Sequence, residues 1–271
     1  MALDVGDGAA LGALVSRATS VINAVNPASY TRWERDWPPL AAAILNAAEE
    51  AGARLVTVSN LYLYGQVTAP MTEATPIAPT GPKGAVRARM WADALDRHRA
   101  GRLRAVEVRA SDYLGPETLS SSLLGGMILA PLLRGRTAYL PMGRRDARHS
   151  WTYDGDVAAL VARLARSEQE SDYGRAWHVP TADPVTVADV LDQVQAITDR
   201  PLGRLRVLPR WVVTGLGPVV PLLGALRETR HQFERPFVLD STAAQQRFGL
   251  APTPLTTVLA RTIAAIHARS D

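Results

Sequence analysis

Short apolar runs and helix-patterned segments take turns through roughly the first 110 residues, and this alternation limits the fold more than any other feature. Ser20-Val21-Ile22-Asn23-Ala24-Val25 has the length and residue types of a strand. Trp37-Pro38-Pro39 then opens an Ala-rich helix that closes at Ala51-Gly52, with proline and glycine at the ends each prefers. Arg54-Leu55-Val56-Thr57-Val58-Ser59 reads as a buried parallel strand. A loop follows, marked by Gly65, Pro70, Pro76, Pro79, Gly81 and Pro82. The next helix runs from about Gly84 to Ala100 and stops at Gly101, and Arg104-Ala105-Val106-Glu107-Val108-Arg109 is another strand. This order predicts an α/β fold with a doubly wound parallel sheet.

Beyond Tyr113-Leu114-Gly115-Pro116 the pattern loosens. Asp156 to Arg166 is amphipathic, with Asp154 or Asp156 as its N-cap. Ala176-Trp177-His178-Val179 reads as a short strand. Thr186 to Thr198 reads as a helix with a Thr186-x-x-Asp189 start. The Pro- and Arg-rich remainder suits a smaller substrate lobe. Its longest apolar run, Trp211 to Leu226, is interrupted by Gly215, Gly217, Pro218, Pro221 and Gly224. It reads as a buried, broken helix rather than a membrane span.

At 271 residues the chain is long enough for one domain, or one domain and a lobe. The net charge is +4, but the arginines are scattered and no nucleic-acid motif accompanies them. No nucleic-acid or membrane partner is therefore expected. The absence of cysteine excludes disulfides and thiolate chemistry. The acidic, Gly-rich first residues do not form a secretory leader, so a soluble cytoplasmic protein is expected.

Lys83 is the only lysine. Arg87 lies four residues on, so a helix puts both cations on one face about one turn apart. The pair reads either as a solvated helix start or as part of a site. Asn23, Asn26, Pro27, Tyr30 and Trp33 follow the first strand, either as a loop closed by Asn turns and aromatic packing or as a binding surface. Tyr62 and Tyr64 read as packed at a strand end with wet hydroxyls. Arg144, Arg145 and Arg148 form a solvated loop or a holder for a phosphate or carboxylate. His149 and His178 are too isolated for a metal site, and His178 reads as a core histidine. No Gly-x-Ser-x-Gly elbow is present.

Four phrases in order carry a family resemblance. Val58-Ser59-Asn60-Leu61-Tyr62-Leu63-Tyr64-Gly65 resembles a strand-to-loop signature. Met71-Thr72-Glu73-Ala74-Thr75-Pro76 resembles an acidic-proline loop. Arg109-Ala110-Ser111-Asp112-Tyr113-Leu114-Gly115-Pro116 resembles a sixth-strand exit. Trp151-Thr152-Tyr153-Asp154-Gly155-Asp156-Val157-Ala158 resembles an aromatic-Asp-Val-Ala element. Together they are similar to the extended short-chain dehydrogenases, the NAD-dependent epimerase/dehydratase family, in an atypical form.

The resemblance implies a Rossmann-like domain over residues 1–115, completed by about 150–182, with 116–149 and 183–271 as a substrate lobe. It implies NAD or NADP as cofactor and hydride exchange with a carbonyl or alcohol of a sugar-like or other small-molecule substrate. The family's Tyr/Lys pair aligns with Lys83 and Arg87, and its carbonyl-polarising Ser/Thr with Asn60. Lys83 is then the proton donor or acceptor, since like charge beside it favours its neutral form. Arg87 is its electrostatic partner, Asn60 orients the oxygen, and Tyr62 or Tyr64 is a displaced phenol. Asp4, Asn23, Asn26, Val58, Ser59 and Lys83 are expected around the cofactor, and Tyr30, Trp33, Tyr113 and Arg148 around the substrate.

The family's Gly-x-x-Gly-x-x-Gly loop has no match. Gly6-x-Gly8-x-x-x-Gly12 reads as a decoy, because the strand after it comes too soon and ends in no acidic residue. On this alignment the first two strands and the glycine loop fall upstream of Met1, so either the true start lies further upstream or the Rossmann sheet is N-terminally incomplete. The Ser20 strand then offers an apolar edge over which a homodimer is expected. The other reading is a non-catalytic binding or regulatory protein that keeps the substrate cleft without cofactor.

Overall fold

The computed structural model describes residues 3–27, 29–141, 143–209, 211–212 and 228–269. Most of the apolar run from Trp211 to Leu226, read above as a broken helix, lies outside the described residues. The strands are β1 (Ser20–Asn23), β2 (Arg54–Asn60), β3 (Ala105–Ala110), β4 (Asp112–Leu114), β5 (Ala138–Leu140), β6 (Trp151–Tyr153), β7 (Ala176–His178) and β8 (Leu205–Val207). The helices are α1 (Gly8–Val15), α2 (Trp33–Glu50), α3 (Pro82–Arg99), α4 (Ala130–Leu133), α5 (Asp154–Ala165), α6 (Val187–Thr198), α7 (His231–Glu234), α8 (Thr242–Phe248) and α9 (Leu255–Ala268). The chain divides into two units.

The first unit comprises Met1–Gly65, Glu73–Ala110 and Ala159–His178. Its sheet has the order β1-β2-β3-β7, and every neighbouring pair is parallel. Val21 sits opposite Leu55, Thr57 opposite Glu107, and Arg109 opposite His178. Crossovers through α2 and α3 join β1 to β2 and β2 to β3, as parallel pairing requires. Side chains alternate between the faces. Asn23, Thr57 and Glu107 line a small cavity with Ala41 and Ile44 of α2 and Met90 and Trp91 of α3, so that face lies under the two helices. Val56, Val106 and Val108, all buried, take the opposite face. This is the parallel α/β architecture predicted from the alternation.

Of the boundaries in this unit that differ from the sequence reading, two have a clear cause. The strand β1 ends at Asn23 rather than Val25, because Asn23 Oδ1 accepts a bond from Val25 N at 3.2 Å and turns the chain. Helix α2 begins at Trp33, one turn before the proline pair. Pro38 and Pro39 lack N–H groups, which leaves the carbonyls of Glu34 and Arg35 without their usual partners. Both of those residues are exposed, so water can serve the carbonyls, and burial of Trp33 and Trp37 on one face favours the extra turn.

The second unit comprises Gln66–Thr72, Ser111–Ala158 and Val179–Asp271. Its core gathers Leu114, Leu124, Ile128, Leu140, Val190 and Leu259. Two short parallel pairs, β4 with β6 and β5 with β8, flank it. Helix α5 starts at Asp154 rather than Asp156, and the Asp154 carboxylate accepts from Glu117 N at 2.9 Å and Thr118 N at 3.2 Å. His149 is buried between Asp112, 2.8 Å from its Nε2, and the Gln232 carbonyl, 3.0 Å from its Nδ1, and it stacks on Phe233. Among the described residues no cluster of three His, Cys, Asp or Glu could hold a metal. No described helix is long and apolar enough to cross a membrane.

At α6 the Thr186-x-x-Asp189 start closes as a reciprocal box: Thr186 Oγ1 accepts from Asp189 N at 3.0 Å, and Asp189 Oδ2 accepts from Thr186 N at 2.9 Å. Thr186→Ala should cost about 0.5–2 kcal/mol in chemical denaturation. The bond from Thr186 N, then that to its side chain, holds the Asp189 carboxyl below its ordinary pKa. A depressed carboxyl contributes stability above its unfolded pKa and loses it as pH falls through the folded value. The effect of Asp189→Asn should therefore shrink on acidification below about pH 4; an unchanged effect there would contradict the box.

Candidate active site

The strand exits of the first unit bring together six of the residues singled out from sequence, Tyr30, Trp33, Asn60, Tyr62, Lys83 and Arg87. At the carboxyl end of β2, Asn60 Oδ1 accepts from Tyr62 N at 3.1 Å and tightens the turn. The Tyr62 hydroxyl accepts from the Tyr30 hydroxyl at 3.0 Å, linking the β2 exit to the β1 exit. Pro82 opens α3 at a position where its missing N–H costs nothing, and Lys83 and Arg87 follow on one face, 7% and 5% exposed. Lys83 Nζ lies 4.7 Å from the centre of the Tyr30 ring. Arg87 Cζ lies 4.8 Å from the Trp33 ring and 4.5 Å from the Trp37 ring, so two indoles flank one guanidinium. Trp33 also meets Tyr30 edge-on at 5.2 Å and Tyr62 at 6.1 Å. The pair predicted on one helix face is thus buried against an aromatic cluster, not solvated. Each ring face can stabilise a cation by about 0.5–2 kcal/mol without cancelling its charge.

Trp37 had been read only as a helix opener. Its spacing of four from Trp33 was the signal that both rings share a face. The other expected residues lie elsewhere. Ser59 is buried on the sheet face that carries Arg109, while Val58 is partly buried and points the opposite way. Asn23 lines the cavity beneath α2 and α3. Asn26 is exposed, as is Asp4, whose Oδ1 accepts from Gly6 N at 2.8 Å. Tyr113 and Arg148 belong to the second unit, partly exposed on β4 and exposed before β6 respectively.

Tyr64 departs from the expected wet hydroxyl. It is 1% exposed and its oxygen accepts from Arg109 Nη1 at 2.7 Å and lies 2.8 Å from His178 Nε2. Arg109 Nε donates to Glu107 Oε2 at 2.6 Å. Burial raises the Tyr64 pKa, and the Arg109 charge opposes this without reversing it, so the phenol keeps its proton. Arg109 loses stability as a cation through burial, but Glu107 and Tyr64 outweigh that and hold its pKa above the ordinary value. Tyr64 is therefore committed to a buried network.

The model of the NAD dependent epimerase/dehydratase family matches residues 1–179, about two-thirds of the chain. The chain belongs to this family. No curated protein matches it. Among solved structures, the dTDP-glucose 4,6-dehydratase of Bacillus anthracis in complex with NAD is similar at 16% identity and a TM-score of 0.77, over 98% of this chain and 78% of that one. A UDP-glucuronic acid 4-epimerase from Bacillus cereus, in complex with UDP-glucuronic acid and NAD, gives 14% identity and a TM-score of 0.78, over 98% and 81%. RMD from Pseudomonas aeruginosa, complexed with NADPH, gives 15% and 0.76, over 99% and 88%. At these identities the likeness is one of fold, and it agrees with the Rossmann-like sheet.

Proposed function

We propose that this chain acts as an NAD- or NADP-dependent enzyme that exchanges hydride with a carbonyl or alcohol on a sugar-like small molecule. The observation that carries this reading is the placement of Lys83 and Arg87. They are buried, one turn apart, outside the carboxyl ends of β1 and β2, where open parallel sheets bind ligands. Membership of the family supports the cofactor class.

The donor set fits the ribose and carboxamide end of such a cofactor: an ammonium and a guanidinium lie against the aromatic cluster, two phenols belong to it, and an amide sits at the adjoining β2 exit. Its diphosphate finds no comparable cradle among the described residues. Asp7 Oδ1 already accepts from Ala10 N at 3.0 Å at the N-terminus of α1, so a carboxylate holds the place a phosphate would take. That supports the decoy reading of Gly6, Gly8 and Gly12. When bound, the nicotinamide would supply or receive the hydride.

The chain's own residues handle the oxygen and its proton. With Asn60 Oδ1 engaged by Tyr62 N, the Asn60 NH₂ group is left to orient the substrate oxygen. Lys83 gives or takes the proton, and Arg87 stabilises negative charge on that oxygen. The hydrogen-bonded phenols Tyr62 and Tyr30 offer a path to exchange the proton.

The Asp7 cap favours a second reading, in which the site binds a small molecule without cofactor. Calorimetric titration with NAD⁺, NADP⁺ and their reduced forms separates the two. Micromolar binding, weakened in Lys83→Ala, is expected. Absence of binding to all four by folded protein would leave only the cofactor-free reading.

A further inference from the structure

We propose that the outer face of the β5–β8 ribbon in the second unit docks on an anionic lipid surface. Arginines that are scattered along the sequence converge there. Residues 134–140 and 199–209 together hold five arginines and one aspartate, a balance of +4 that equals the net charge of all 271 residues. The positive charge of the chain is thus concentrated in two segments, and the pairing of β5 with β8 joins them.

The register sets which side chains share the face. Ala138 and Leu140 are buried in the core of the unit, so Tyr139 between them points outward. Arg206 is the partner of Tyr139 in register, and Arg204 lies two residues back on the same side. The Gly203 N–H donates to the Leu132 carbonyl at 2.8 Å, and a Cβ on Gly203 would run into the Arg136 carbonyl, so Arg136 lies beside Gly203 and Arg204. Arg136, Arg204 and Arg206 are exposed, and none of them pairs with a carboxylate among the described residues.

Large apolar side chains accompany this charge. Tyr139 is 49% exposed, Val207 39%, and Trp211, four residues past the end of β8, 76%. Arginine beside exposed tryptophan and tyrosine suits a membrane–water boundary, where cations meet headgroups and rings enter the layer beneath them. A nucleic-acid strand would take the arginines and stack on the rings, but it gives Val207 no apolar layer to enter. A lipid surface serves all of these side chains. No described helix is long and apolar enough to cross a membrane, so the contact proposed is with the surface. Each arginine near such a surface is worth about fivefold in affinity.

The test floats the full chain with vesicles of phosphatidylcholine alone and with about 30% phosphatidylglycerol. Binding to the anionic vesicles should be at least about tenfold tighter, and should weaken strongly in about 0.5 M salt. Arg204→Gln combined with Arg206→Gln should lower it about 25-fold, while Arg99→Gln, exposed on α3, should lower it less than twofold. Trp211→Ala should also weaken it, and native tryptophan emission should shift to the blue on binding. The substituted residues are exposed, and circular dichroism checks that each variant is folded. Equal binding to the two vesicle types, no binding to either, or native binding by the double variant overturns the proposal. Release from anionic vesicles by an equimolar single-stranded oligonucleotide would overturn it too, and would assign the ribbon to nucleic acid.

Discussion

Arg109→Leu is expected to destabilise the protein by about 3–5 kcal/mol, the usual result of breaking a buried ion pair from one side. Arg109 and Glu107 are 2% and 1% exposed, two residues apart on β3 and therefore on one sheet face. The guanidinium serves Glu107 through Nε and Tyr64 through Nη1. Removing it strands an ionised carboxylate in the core and takes a donor from a phenol whose oxygen also meets His178. The pair itself is a smaller asset than its breakage suggests, because two desolvated ions cost nearly what their attraction returns. Glu107→Leu combined with Arg109→Leu should therefore recover more than half of the loss. Urea denaturation of the two single variants and the double variant measures this directly. A loss below about 1 kcal/mol in Arg109→Leu, or no recovery in the double variant, would show that Glu107 reaches solvent or gives up its charge on folding.

Gly84→Ala should be the most damaging of the smallest changes near the site. A Cβ on Gly84 would meet the Tyr62 carbonyl oxygen at 2.5 Å and Pro79 Cβ at 3.0 Å. The first of these is backbone, so α3 or the β2 exit must move. Its neighbour Lys83 and the turn holding Asn60 and Tyr62 are the two halves of the candidate site. We expect about 1–3 kcal/mol of destabilisation, as for other overpacked contacts. A change in tryptophan fluorescence should accompany it as the Arg87 stack shifts. Gly84→Ala with native stability and native fluorescence would mean that α3 and the β2 exit can part at little cost. Ala85, one residue on and exposed, is the control: Ala85→Ser should change neither reading by more than about 0.5 kcal/mol.

Much of the first unit could be read directly from residues. The four parallel strands announced themselves as apolar runs between helix patterns, and the end of α3 followed from Gly101, while its start lies at Pro82, two residues before the Gly84 read from sequence. The Thr186 box was visible as a spacing. The Lys83/Arg87 pair was legible too, since four residues on a helix share a face whatever surrounds them. What covered that face was not. Trp33 and Trp37 close over Arg87 only because α2 packs beside α3, and no local rule brings residue 33 to residue 87. The early start of α2 has the same origin: local preference places the proline pair at the first turn, and burial of Trp33 moves the start back.

Sequence alone determined the periodicity, and with it the strands, the helices, the parallel sheet and the face shared by Lys83 and Arg87. These depend on backbone geometry and on neighbours a few residues apart. Tertiary structure alone decided that Tyr64 joins a buried network with Arg109 and His178 instead of meeting water, and that Tyr62 pairs with Tyr30. It also decided that the two cations lie against rings. Those outcomes depend on groups 32 to 114 residues apart in the chain, whose meeting is set by how strands and helices pack. Hydrogen bonding and charge act over a few ångströms, so their partners are fixed only once the sheet has brought the strand exits together.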